Sequence, residues 1–346
     1  MDASPRYFSG MAESTREVRP ILISIYAHIA ERVPSLAEDL NMYRIPRCIG
    51  ARHLLRPHLV RLVYETLGGT TWKKIVPFMA IAEMLNLSTY HVNSALDRKL
   101  TSSSEDASSR QMIAGMLVYD VIAEVIRSAD LDPIAETEVF RALHKASFFI
   151  YQGQSLDIAD LRISNSIYFS DRSLFDQVYL QRCKYLGASL IDFCMTMGML
   201  AFGIEKIPTS AQDALHSIAE FFGTGGQILN DLGDLSIRPR PYSARMQDLR
   251  NGRLTLPIML VLETAPPLQR MLFFDKFSDD QAILFLKLFL DRRSEIIETL
   301  TRDLWEYYDK CCIESDSLNK LGYNSSPIGA ATKLLVLSKY LNKYNF

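Results

Sequence analysis

Apolar residues in this chain recur at intervals of three and four and almost nowhere alternate one by one. Leu54, Leu55, Leu59, Leu62 and Val63 set the rhythm early; Met112, Met116, Tyr119, Val121, Ala123 and Ile126 repeat it. Side chains so spaced share one face of an α-helix and leave the other face to solvent. No alternating run is bounded by a two-residue glycine turn, so the hairpin signal is missing. Breakers punctuate the rhythm at LGGTT (67–71), KLTSSSEDASS (99–109), DLDP (130–133), GIEKIPTS (203–210) and IRPRPYS (237–243). Long helices with short connections bury their stripes against one another, which predicts an all-α bundle. With 346 residues and 48% hydrophobic composition, the chain can fill a large core, and one helical domain over residues 1–346 is expected. Residues 1–20 read as a flexible N-terminal extension and 101–109 as a mobile Ser-rich loop. GAATKLLVLSKYLNKY (329–344) reads as an amphipathic closing helix.

Charge and cysteine content remove several function classes. There are 38 basic and 40 acidic residues, a net charge near −2, so the basic excess of a nucleic-acid binder is missing. Five cysteines at irregular spacing, with no CxxC pair, exclude a disulfide framework and a zinc site of the usual spacing, and fit a reducing cytoplasm. The first residues carry charges and no apolar core, unlike a signal peptide. No apolar run reads as long enough, about 18 to 20 residues, to span a bilayer.

The chemistry concentrates in GGQILNDLGDL, residues 225–235. On a helix, Asn230 and Asp231 lie four and three residues before Asp234, which puts all three on one face. Two carboxylates and an amide oxygen are hard ligands suited to Mg²⁺, which keeps waters and shares phosphate oxygens. The same pattern also describes a solvated helix face with two ordinary aspartates. Downstream, Arg238, Arg240, Arg245, Arg250 and Arg253 fall within sixteen residues. Guanidinium forks bind phosphate oxygens in pairs, so an arginine-rich loop beside a carboxylate helix suits a metal–diphosphate complex. By itself it is equally a basic surface loop.

QILNDLGDL followed by DLRNGRLTLP resembles the second aspartate-rich motif of the trans-isoprenyl diphosphate synthases (polyprenyl synthetases), Q-I-x-D-D-x-x-D followed by D-L-x-x-G-K-x-T-L-P. Gln227, Asn230, Asp231 and Asp234 fall on motif positions, with Asn230 in place of the first aspartate; Arg253 falls on the lysine and Thr255 on the threonine. YQGQSLDI (151–158) is similar to the family's G-Q-x-x-D-L at Gly153, Gln154 and Asp157. RCKYLGASL (182–190) is similar to its K-T segment at Lys184, and LLRPHLVRLVYETLGG (54–69) to the Arg-Pro segment at Arg56 and Pro57. The likeness runs over residues 45–346. It implies a class I isoprenoid synthase fold, a helical bundle around a deep apolar cavity with two aspartate motifs facing each other. It implies Mg²⁺ held by Asn93, Asp97, Asn230, Asp231 and Asp234. A prenyl diphosphate would be held by Arg56, Arg98, Gln154, Lys184, Gln227, Arg245 and Arg253, with Asp231, Asp234 and Lys184 at the reaction centre. It also implies a homodimer, or a heterodimer with a paralogue.

The chain departs from the family in its N-terminal half. Where the first motif reads D-D-x-x-D, this chain has Asn93, Ser94, Ala95, Leu96 and Asp97. The Lys-Arg pair before Arg56 falls on His53 and Leu54, with Arg52 one residue earlier; the basic loop after the first motif is replaced around Arg98 and Lys99. In the family these basic residues hold isopentenyl diphosphate. The expectation is therefore a divergent prenyltransferase or terpene synthase that ionises an allylic diphosphate and uses another acceptor, or cyclises it. In the family, bulky aromatics at the positions of Ser88 and Thr89 close the cavity floor, so the resemblance implies that these small residues leave room for a chain of C15 to C20 or more. A noncatalytic subunit of a heteromeric synthase, and an ordinary chain-elongating synthase, are the alternatives. His53 and His91 read as surface or core histidines before they read as bases. Met195, Met197 and Met199 read as core before they read as pocket lining.

Overall fold

A computed structural model describes residues 5–36, 54–97, 105–235, 246–274 and 278–336. Arg98, Arg245, Arg52, His53, Lys99, Arg238 and Arg240 lie outside the described residues, as does the second half of the expected closing helix, 337–344; residues 326–335 form a short α-helix and a 3₁₀ turn. The architecture is all-α. Among the described residues there is no β-strand, only an isolated bridge between Arg162 and Arg253.

The helices are α1 (Pro5–Arg32), α2 (Leu55–Thr66), α3 (Val76–Leu96), α4 (Glu105–Ser128) and α5 (Pro133–Ser155). They continue as α6 (Ile167–Ser170), α7 (Arg172–Cys183), α8 (Ser189–Phe202) and α9 (Thr209–Asp234). The last are α10 (Gln247–Arg250), α11 (Leu256–Leu262), α12 (Pro267–Met271), α13 (Asp279–Asp291), α14 (Arg293–Lys320) and α15 (Ser326–Thr332). Local chemistry sets the ends. Asp132 accepts the backbone N–H groups of Ile134 and Ala135 at 3.0 Å, starting α5 where DLDP breaks the chain. Ser278 and Gln281 form a reciprocal capping box on α13. α8 stops at Gly203, whose φ of 105° side-chain-bearing residues rarely adopt. Two π-helical turns, Leu156–Asp160 and Lys184–Ala188, continue α5 and join α7 to α8.

Three sequence expectations need correction. Residues 5–20 are not a loose extension: Met11, Ser14, Thr15 and Val18 lie buried on α1, continuous with Leu22, Tyr26 and Ile29. Thr15 Oγ1 accepts the backbone N–H of Leu54 at 2.8 Å, which ties α1 to the start of α2. The polar members of this stripe hid its helical period. Ser108 and Ser109, expected in a loop, belong to α4. The stretch Arg172–Phe202 is, by length and composition, apolar enough to cross a membrane, with a mean hydropathy of 1.5. Of that window 56% is buried within the protein, and Met195, Met197 and Met199 on it are core residues.

The buried apolar residues form two clusters. One gathers α1 to α5, α8, α15, the first half of α9 and the C-terminal half of α14; the other gathers α7, α11, α13, the N-terminal half of α14 and the last turns of α9. His91 sits inside the first, its Nε2 2.9 Å from the Tyr26 hydroxyl, and burial lowers its pKa to about 4, so the ring is neutral. Glu83, on the same helix, is pushed up to about 7 by burial, against the pull of Arg56 and Asn86. A carboxyl that keeps its proton better folded than unfolded favours the folded state fully below its unfolded pKa. That advantage is lost as pH rises through the folded value. Glu83→Gln therefore raises the thermal midpoint at pH 8, by the equivalent of ~3 kcal/mol, with little change near pH 4.5. A pH-independent difference in calorimetry would refute this origin.

Candidate active site

The C-terminal turns of α3 and α9 bring Asn93 and Asp97 to one cavity with Gln227, Asn230 and Asp231. The cavity measures about 460 Å³. Arg56, Gln154, Asp157, Arg182, Asp248 and Arg253 complete its polar lining. Leu55, Ile150, Leu190, Ile191, Phe222 and Leu335 supply an apolar wall. Of the residues relevant to chain length, Thr89 and Tyr90 line it, while Ser88 is buried and donates to the Gly115 carbonyl at 2.9 Å.

Backbone contact builds that wall. A Cβ on Gly187 would lie 2.2 Å from the carbonyl oxygen of Gly223, and a Cβ on Gly223 would lie 2.4 Å from the Cα of Ala188. Only hydrogen at both positions lets the second π-helical turn press against α9. The turn presents Leu186 and Gly187 to the cavity.

An ion-pair chain crosses the site. Arg182 donates from Nε to Asp157 Oδ1 at 2.8 Å and from Nη1 to Asp231 Oδ2 at 2.6 Å. Asp231 also accepts the Tyr179 hydroxyl at 2.8 Å and the Gln227 amide at 2.9 Å. Arg253 places Nη2 2.5 Å from Asp97 Oδ1 and pairs through Nη1 with Asp157. All five charged side chains are at most 4% exposed. The peptide carbonyl of Asp97 accepts the Gln247 and Asn251 amides at 2.8 and 3.1 Å, which fastens the end of α3 to the segment carrying Arg253. Burial works against the Arg182 charge, but Asp157 and Asp231 outweigh it and hold the guanidinium more firmly protonated than usual. Burial pushes the Asp231 carboxyl up while Arg182 and Tyr179 pull against it. Asp248 is driven well above the ordinary carboxylate range, first by burial, then by Asp234, Asp231 and Asp157.

Of the residues expected from sequence, Arg56, Asn93, Asp97, Gln154, Gln227, Asn230, Asp231 and Arg253 line the cavity. Asp234 stands beside it and accepts the backbone N–H of Asp248 at 2.9 Å. Lys184 does not line it. Its ammonium is half-exposed and pairs with Glu220 at 2.7 Å. Arg182 and Tyr179, one turn earlier, are the side chains that reach Asp231, and sequence reasoning missed both. Their three-residue spacing on one helix face was the available signal.

The oxygen donors expected to hold Mg²⁺ do not fit a divalent ion as they stand. Asp231 already accepts three donors, Asp97 faces a guanidinium and Asp234 faces a peptide N–H. Asn93 and Asn230 are neutral amides. Among the described residues no group of three or more His, Cys, Asp or Glu side chains is arranged to hold a metal.

The polyprenyl synthetase family profile matches residues 50–283. No curated protein matches the chain at a significant level. A geranylgeranyl pyrophosphate synthetase from Pyrococcus horikoshii superposes with a TM-score of 0.73 at 16% identity, over 96% of this chain and 98% of that one. A polyprenyl synthase from Caulobacter crescentus, complexed with calcium and isoprenyl diphosphate, superposes with a TM-score of 0.70 at 17% identity, over 95% and 93%. A geranylgeranyl pyrophosphate synthase from Corynebacterium glutamicum, complexed with isoprenyl diphosphate and magnesium, gives 0.69 at 13%, over 94% and 99%. At these identities the likeness is one of fold. The family and these two complexes point to divalent-metal use among such proteins.

Proposed function

This chain belongs to the polyprenyl synthetase family of prenyltransferases, and from that premise we propose that it takes an allylic prenyl diphosphate of C15 to C20. It transfers the prenyl group to an acceptor other than isopentenyl diphosphate, or cyclises it. The observation that carries the reading is the single cavity in which the ends of both motif helices adjoin an apolar wall. Its volume lies in the range of small-molecule sites.

Heterolysis of the allylic C–O bond leaves the electron pair on the diphosphate oxygen and a cation on the prenyl chain. Leu55, Ile150, Leu190, Ile191 and Phe222 keep water from that cation. Arg56, Gln154 and Arg253 offer N–H groups to the departing oxygens. Capture by a nucleophile, or by the chain's own double bond, then releases a proton. The replaced basic residues before Arg56 and after Asp97 support an acceptor other than isopentenyl diphosphate. A homodimer is the expected assembly.

A second reading, a noncatalytic subunit paired with an active paralogue, is favoured by one observation: Lys184 turns to Glu220 while Leu186 and Gly187 face the cavity. Ordinary chain elongation fits the family match equally well. Pyrophosphate release separates the three. Geranyl, farnesyl and geranylgeranyl diphosphate are supplied in turn, with and without isopentenyl diphosphate, in Mg²⁺ and then in chelator. The expected result is release from the longer substrates, lowered ~100-fold or more in Asp231→Asn, which misplaces Arg182. Mass spectrometry then finds products lacking isopentenyl carbon. Incorporated isopentenyl carbon establishes elongation; no release from any substrate leaves the subunit reading.

A further inference from the structure

Both aspartate motifs are met by cations that belong to the chain. Arg182 joins Asp157, on the π-helical turn after α5, to Asp231 on α9. Arg253 joins Asp157 to Asp97 at the end of α3. A divalent ion bridging the two motifs would need these same oxygens, and would have to displace a guanidinium from a place closed to water. Within this chain of ion pairs, two guanidiniums occupy oxygens of Asp97, Asp157 and Asp231, so these three carboxylates already have cations of their own.

The donors of the cavity are in the opposite condition. Nε of Arg253, Nε2 of Gln154 and Nε of Arg56 are buried and have no hydrogen-bond partner among the described residues. All three residues line the one cavity. Gln154 is 8% exposed and Arg253 3%, so their N–H groups are withdrawn from bulk water. Buried donors without acceptors are rare in folded proteins, and such a set suits an anion.

We infer that Arg182 and Arg253 are resident counter-cations of the two aspartate motifs, and that the cavity takes a diphosphate through its own N–H donors without a divalent ion. The second half rests on the diphosphate reading proposed above; the first half does not. The counter-cation role separates this chain from a site whose carboxylates wait for metal. Arg253 serves both halves, since Nη1 and Nη2 hold carboxylates while Nε is left for the ligand.

The test uses the full-length protein and two probes. Mn²⁺ is titrated and its free fraction followed by electron paramagnetic resonance, alone and with farnesyl thiodiphosphate, which resists ionisation. Farnesyl thiodiphosphate binding is then measured by calorimetry in Mg²⁺ and in chelator. The expected result is no saturable Mn²⁺ binding in either sample and thiodiphosphate affinities that agree within about threefold. Gln154→Leu should leave the thermal midpoint little changed, because the buried Nε2 it removes had no partner, and weaken the thiodiphosphate ~10-fold. Stoichiometric Mn²⁺ retention overturns the counter-cation assignment. A tenfold or greater loss of affinity on chelation overturns metal-free capture. If the thiodiphosphate binds in neither buffer, the diphosphate reading fails, while the Mn²⁺ titration without ligand still decides the role of the arginines.

Discussion

Arg182→Met lowers the stability of the folded chain by about 3–5 kcal/mol, because it leaves Asp157 and Asp231 as buried charges without their shared partner. The side chains involved are no more than 4% exposed, so water cannot take over the guanidinium's role. The deficit depends on pH with a definite sign. Without Arg182, burial raises the Asp231 carboxyl unopposed by that guanidinium, so it binds its proton more tightly in the folded than in the unfolded chain and the variant's stability falls as pH rises through its folded pKa. Urea denaturation at pH 8 and pH 5 is the measurement. The deficit should be largest at pH 8 and shrink at pH 5, and adding Asp231→Asn should recover part of it. A loss below about 1 kcal/mol at pH 8 would mean the pair acts as an exposed ion pair does.

Gly223→Ala is the second large effect. Its Cβ would stand 2.4 Å from the Cα and 2.6 Å from the N of Ala188, and both atoms are backbone, which cannot swing aside. Overpacking of this kind costs about 1–3 kcal/mol, and more where no side chain can yield. Relief would require the second π-helical turn to move off α9, shifting Leu186 and Gly187 in the cavity wall. Thermal melts should show a drop of several degrees or insoluble protein. The control is Gly226→Ala on the same helix. Nothing lies within 4 Å of its Cβ position, and alanine is the better helix former, by roughly 0.5–1 kcal/mol. Equal melting of the two variants would remove the close-packing explanation.

Much of this arrangement is legible in the sequence, and the misses share physical causes. The period of α2 and α4 and the breakers at 67–71, 130–133 and 203–210 predict elements and their ends, because burial and backbone constraint act within a few residues. α1 escapes because Ser14 and Thr15 interrupt its apolar stripe and Pro20 lies inside it. Lys184 is expected from the family motif alone, and in the structure it pairs with Glu220 at the start of a π turn whose Leu186 and Gly187 line the cavity. Arg182 escapes because its partners lie 25 and 49 residues away, on other elements. The oxygen donors at Asp97, Asp231 and Asp234 can be counted from the sequence. What occupies their lone pairs depends on Arg253, Arg182, Tyr179 and the Asp248 peptide, and only the fold brings those groups together.

The two apolar clusters meet along α9, which gives Phe222 to one and Ile228 to the other. Between those residues the helix carries Gly223, Gly225 and Gly226, and α14 crosses beside them, its Tyr307 packing against both clusters. Asp97 leads out of the first cluster and Arg253 is flanked by residues of the second, so their pairing acts as a rivet between two oily masses. Breaking that one pairing would therefore be felt in both masses at once.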